Sequence, residues 1–124
     1  MAADINSKDI YKIFFSVENL LLAYEFNYKE YKLERILEED LLSMISSISY
    51  EEESHQIYVS LENRELWRTN TVDLKFTKLT VLPREAVSMS SSPRYICFLF
   101  ENSTIMVRDL TNQDKVEPLS VSLI

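Results

Sequence analysis

An all-β fold of repeated four-stranded antiparallel units is predicted by three observations. The first is self-similarity: Ile13-Phe14-Phe15-Ser16-Val17-Glu18-Asn19, Ile57-Tyr58-Val59-Ser60-Leu61-Glu62-Asn63 and Ile96-Cys97-Phe98-Leu99-Phe100-Glu101-Asn102 are near copies, each an apolar strand entering a Glu-Asn turn. The second is spacing: the copies start at Ile13, Ile57 and Ile96, and a period of about 40 residues is one at which a supersecondary unit recurs in stacked repeat folds. The third is that the match continues on both sides of each turn with alternating, strand-like segments.

Each unit reads as strand, loop, strand, Glu-Asn hairpin, strand, loop, strand. Nine residues before the aligned isoleucine, the second and third copies have Ile48-Ser49-Tyr50 and Val87-Ser88-Met89, both alternating strand starts. Polar stretches follow, Glu51 to Gln56 in one copy and Ser90-Ser91-Ser92-Pro93-Arg94 in the other, and read as loops. After the hairpin come third strands at Leu20 to Phe26, Arg64 to Thr69 and Ser103 to Leu110. Fourth strands are placed around Tyr31 to Leu37, Leu74 to Leu82 and Lys115 to Leu123, where the alternating Phe76, Leu79 and Val81 suit an outer strand. The expected organisation is a single domain with about three propeller-like repeats, over about 10–37, 45–82 and 84–124, because four antiparallel strands in about 40 residues is the makeup of a propeller blade.

One segment admits a second reading. Leu33, Ile36, Leu37, Leu41, Met44 and Ile45 recur at helical spacing, so an amphipathic helix over 31–46 competes with strand plus linker and would make the fold α+β. The first spacing, Ile13 to Ile57, is longer than the second, Ile57 to Ile96, and the excess falls here.

In this register the chain resembles WD-type repeats. Ser90 to Ile96 stands where that family has a serine-proline-acidic turn into its second strand, and Glu101-Asn102 stands for its Asp-Gly. Ile105-Met106-Val107-Arg108-Asp109-Leu110 stands for the strand that ends in Trp-Asp, and Leu66-Trp67-Arg68 keeps a tryptophan near that place. Over residues 10 to 110 the apolar pattern is also similar to the opening blades of the non-catalytic WD subunits of tRNA guanine-N7 methyltransferases. That resemblance implies a scaffold that holds a separate methyltransferase and helps to position tRNA.

Composition narrows the chemistry. The 124 residues contain no glycine, which at an average usage of about 7% happens by chance on the order of once in ten thousand. No phosphate-cradling glycine loop, dinucleotide fingerprint or nucleophile elbow can be written without it. Turns that need positive φ should then fall to Asn, and Asn19, Asn63 and Asn102 stand at the hairpins. The net charge of −7 is opposite to that of a lone nucleic-acid binder, so unaided RNA or DNA binding is not expected. Cys97, the only cysteine, reads as a small buried residue of an apolar strand, and no internal disulfide can form. With no basic start before an apolar run and no stretch long enough to cross a bilayer, the expectation is a soluble protein of cytosol or nucleus, away from membranes.

No constellation names a reaction, so no catalytic, cofactor-binding or metal-binding residue is assigned, and the chain is read as not an enzyme. His55 is the only histidine and is expected to be exposed in a loop, without companions for a metal. Glu38-Glu39-Asp40 and Glu51-Glu52-Glu53 read as solvated charge, and the serines at 88 and 90–92 as a turn that could carry phosphate. About three blades against the roughly 4–8 of a closed ring lead to an interaction module whose array is completed by a protein partner or by self-association. Phe14, Phe15, Tyr58, Trp67, Phe98 and Phe100 are candidates for core or contact. Trp67, Phe98 and Phe100 lead the interaction candidates, with Leu123 on the apolar tail as a further one. The alternative is a small α+β adaptor that binds through a sheet edge.

Overall fold

The computed structural model describes the backbone of residues 2–7, 9–111 and 116–117 and the side chains of residues 9–111. Among the described residues, twelve strands form three sheets of four in strict chain order, each an antiparallel meander. The first holds β1 (Ala2–Ser7), β2 (Ile10–Val17), β3 (Leu20–Asn27) and β4 (Lys32–Asp40). The second holds β5 (Ile45–Glu51), β6 (Gln56–Leu61), β7 (Glu65–Asn70) and β8 (Thr77–Val81). The third holds β9 (Ala86–Ser91), β10 (Tyr95–Phe100), β11 (Ile105–Asp109) and β12 (Val116–Glu117). Neighbouring sheets approach at their first strands, β5 against β9 and β1 against β5, so the stack fans outward from that edge.

The helical reading of 31–46 is overturned, because β4 pairs with β3 from Asn27↔Lys32 to Leu20↔Asp40. A bulge explains the misleading period: Ala23 pairs with Leu37 and Tyr24 with Arg35, which leaves Ile36 as the extra residue. Ile36 and its neighbour Leu37 both pack on the first core. Two adjacent inward residues break the period of two and imitate a helical face. Leu41 to Met44 then form the link to the second sheet, anchored where Leu41 N–H donates to Asn19 O (2.9 Å) and Ile45 N–H to Glu18 O (2.8 Å).

Strand β1 lies outside the expected first unit. It holds Asp4, nine residues before Ile13, at the place of Ile48 and Val87 in the other units, but shares no sequence match with them.

The hairpins form where the Glu-Asn pairs stand, but the asparagines do not take positive φ. That geometry falls on Glu18 (54°), Arg64 (72°) and Ser103 (65°) beside them. The asparagines of the second and third hairpins act through their side chains: Asn63 Oδ1 accepts from Glu65 N–H (3.0 Å) and Asn102 Oδ1 from Thr104 Oγ1 (2.6 Å), while Asn19 Nδ2 donates to Asp40 Oδ1 (2.6 Å). A second set of side-chain acceptors repeats at the ends of the third strands. Asn27 accepts from Lys29 and Glu30 N–H, Asn70 from Val72 and Asp73 N–H, and Asp109 from Thr111 N–H.

Each sheet has two faces that differ in a repeating way. On the second strands, Ile57, Val59 and Leu61 form a leading face, and Tyr58 and Ser60 the trailing one. The trailing face of the first sheet, with Phe14, Leu21 and Ala23, packs on the leading face of the second to make one core. The trailing face of the second, with Tyr58 and Leu66, packs on Ile96, Phe98, Phe100 and Met106 of the third to make the other. Residues Ile57 to Leu61 are therefore buried on both sides, which accounts for the unbroken apolar character of that strand.

Candidate functional site

Phe98 and Phe100, expected among the interaction candidates, lie inside the stack. Both lie in the second core, 1% and 4% exposed, with their rings parallel and 6.2 Å apart. The period of a strand is the reason: Ile96, Phe98 and Phe100 share the face that meets the second sheet. Trp67 is half-buried against the first core. Phe14 and Tyr58 are core, whereas Phe15 is exposed. Leu123 lies outside the described residues.

The same period turns Cys97 outward, so the expectation of a buried thiol is corrected: it is exposed on the trailing face of the third sheet. The strand register brings Ser88, Ser90, Leu99, Ile105 and Val107 to that face around it. Ser88, Ser90 and Ser91 belong to β9 rather than to a turn, and only Ser92 of the cluster follows it. A shallow depression of about 130 Å³ lies over Ser88, Ser90, Cys97, Leu99 and Ile105.

At the opposite end of the stack, the leading face of the first sheet carries Tyr11, Ile13, Phe15 and Val17 from β2 and Leu20, Leu22, Tyr24 and Phe26 from β3. Phe15 meets Tyr24 edge-on at 6.1 Å, Tyr11 lies 5.4 Å from Tyr28, and Phe26 lies 5.7 Å from Tyr31. Val17 is 51% exposed and Leu33, beside Phe26, 63%. Partial burial, then the nearby Asp9 carboxylate, pushes the Tyr28 phenol above its usual range, so it stays neutral. A contiguous uncovered apolar face of this kind is what monomeric proteins avoid and interfaces use. Sequence reasoning missed most of these residues; the alternation Tyr11, Ile13, Phe15, Val17 opposite Phe14 was the available signal.

Between the second and third sheets lies a polar layer. Ser49 Oγ and Ser91 Oγ are hydrogen-bonded across the interface at 2.7 Å. Arg108, 5% exposed, enters from β11 with Nε and Nη1 unpartnered among the described residues. Burial pulls its guanidinium below its ordinary value, against the favourable field of Tyr58 and with the repulsion of Arg68. Glu51 is buried rather than solvated: it accepts from Glu53 N–H (2.9 Å) and Ser54 N–H (2.7 Å) and from the Ser54 hydroxyl. Burial alone would raise its carboxyl, and these hydrogen bonds more than reverse that. His55 is half-buried in the adjoining turn, its Nδ1 3.2 Å from Tyr50 Oη. Among the described residues no group of three or more His, Cys, Asp or Glu is arranged to hold a metal ion, and no helix is long and apolar enough to cross a membrane.

This stack of meanders is shared with known structures. The chain superposes on a chain of the nidogen/laminin complex with a TM-score of 0.72 at 10% identity, over 90% of its own length and 44% of the other's. The fold is propeller-like. It also superposes on a chain of the mitotic checkpoint complex (TM-score 0.60, 13% identity, 95% of this chain and 36% of that one). Sqt1 of Saccharomyces cerevisiae matches with a TM-score of 0.60 at 14% identity, over 88% of this chain and 30% of that one. The tricorn protease matches 98% of the chain with 13% of its own length, at a TM-score of 0.64 and 13% identity. The chain thus spans less than half of each of these structures. No family model and no curated protein matches the sequence.

Proposed function

We propose that this chain is a non-catalytic interaction module, a single domain acting as a scaffold through the two outer faces of its stack. The observation that carries this reading is that the middle sheet is covered on both sides, while the first and third sheets each leave one apolar face open. Two of the similar structures are protein complexes by description, and a scaffold role fits that company. The side-chain acceptors Asn27, Asn70 and Asp109 at the ends of the third strands support WD-type kinship. The free thiol of Cys97 fits a reducing compartment, cytosol or nucleus. The methyltransferase-subunit reading has only the apolar pattern behind it, and no described residue adds to it. Affinity capture from cell extract with the native chain and with a Phe15→Glu, Tyr24→Glu double variant tests the proposal. Proteins retained by the first and lost by the second are expected; identical profiles would refute it.

A further inference from the structure

The two open faces belong to opposite ends of one packing rule. Inside the chain, a trailing face always meets a leading face: Phe14, Leu21 and Ala23 meet Ile57, Val59 and Leu61, and Tyr58 and Leu66 meet Ile96, Phe98 and Phe100. Among the described residues, what remains open is one trailing face, on the third sheet, and one leading face, on the first. They are complementary in bulk. The leading face is built of Phe15, Leu22, Tyr24 and Phe26, and the trailing one has a depression lined by small Ser88, Ser90 and Cys97 together with Leu99 and Ile105. Large side chains entering a depression is how close-packed layers interdigitate. The charged side chains on these faces lie on the flanking strand β4 and at the end of β11, where Arg35 pairs with Glu38 at 3.6 Å and Asp109 with Arg94 at 3.5 Å.

We infer that the trailing face of the third sheet docks on the leading face of the first sheet of a second copy, and that two copies close into a ring of six sheets. This rests on the scaffold reading and names its partner. Such a contact is heterologous, and it closes only if the fan angle brings it back on itself. With two equivalent contacts, three sheets and three sheets make six, within the range of about 4–8 for closed propellers. The contact continues the two interfaces already present in the chain, so it needs no new kind of packing.

Light scattering on a sizing column tests the inference, with the native chain and two single variants, Phe15→Glu on the leading face and Cys97→Arg on the trailing face. Both positions are exposed, so circular dichroism of each variant should stay native-like. The native chain should run at twice the 14.6 kDa of one chain, and each variant alone at the single-chain mass, since each change damages both contacts of the ring. Mixing the two variants is the decisive step. One of their two contacts then joins two native faces, and the other sets the introduced carboxylate against the introduced guanidinium, so the mixture should return to the dimer mass. A native chain that is monomeric at every concentration overturns the inference, as does a mass that climbs without limit or a mixture that stays monomeric. Thiol labelling gives a second readout: Cys97 should react slowly in the native dimer and fast in Phe15→Glu, and equal rates would count against the docking. If the native chain is monomeric yet capture from extract still depends on Phe15 and Tyr24, the scaffold reading survives and only the second copy is wrong.

Discussion

Arg108→Met should stabilise the protein. The residue is only 5% exposed, between the second and third sheets, and two of its nitrogens have no partner among the described residues. Each unsatisfied buried donor costs about 1–3 kcal/mol. Arg68 adds repulsion. Methionine keeps an unbranched stem of similar reach and has no donor to strand. Replacing a poorly compensated buried ion by an apolar residue gains about 1–4 kcal/mol in comparable settings, and about 2 kcal/mol is expected here on the count of two orphaned donors. With an unfolding entropy of about 2.1 cal/mol/K per residue, the whole chain has about 0.26 kcal/mol/K, so Tm should rise by about 8 °C. Urea unfolding at fixed protein concentration measures this, with an unchanged slope as the check that only stability moved. Arg108→Lys keeps the cation and should give no gain. Arg108→Met, by contrast, removes a charge that holds the Tyr58 phenol down against burial, so tyrosinate absorbance should report a further rise at Tyr58. A loss of more than about 1 kcal/mol for Arg108→Met, the typical net value of a hydrogen bond, would mean that the guanidinium is satisfied and that the reasoning is wrong.

Phe98→Ala removes a ring from the second core and should cost about 3–5 kcal/mol by denaturant unfolding; a cost below about 1 kcal/mol would mean that this core is not close-packed. Leu42 sits at φ 64° and 88% exposure, so Leu42→Gly relieves a left-handed penalty of about 1–2 kcal/mol and adds back about 0.4–1 kcal/mol of unfolded-chain entropy. A small net gain in the urea midpoint is expected, and a clear loss would contradict the strain. Acid should destabilise the protein. Burial would raise Glu51, but its hydrogen bonds carry it below the usual range; Glu65 is lowered by Lys78 and Asn63, Asp73 by Lys75 N–H and Asp109 by Thr111. Their folded values lie below the unfolded ones, so their contribution is present at neutral pH and lost as pH falls below about 4. Glu85 is raised by burial and by Glu62 and Glu101 and works the other way. Urea midpoints followed from neutral pH to about pH 3 should fall, and a flat profile would show that these hydrogen bonds are matched in the unfolded chain.

The repeat and its strands were legible because both are properties of local order. Three copies of one apolar run before a Glu-Asn turn, starting at Ile13, Ile57 and Ile96, carry the period, and alternation carries the strands. Legibility failed wherever one residue shifted a phase. The bulge at Ile36 turned a strand into an apparent helical face, and the missing match before residue 10 hid β1. The positive φ fell to Glu18, Arg64 and Ser103 because the asparagines serve instead as hydrogen-bonding side chains at their turns. Glu51 looked like one of three solvated glutamates, and only the folded turn from Glu53 to Ser54 supplies the donors that let it be buried.

The sequence by itself determined three repeated antiparallel units, their order and the two-sided apolar character of the strands, since hydrogen bonding along a meander and the period of two are decided between near neighbours in the chain. Only the tertiary structure decided which apolar faces are core and which are surface. Phe15 and Val59 occupy matching positions in their repeats, yet one is exposed and the other fully buried. Burial depends on what stands opposite a face, and for Val59 that is a sheet built from a distant part of the chain.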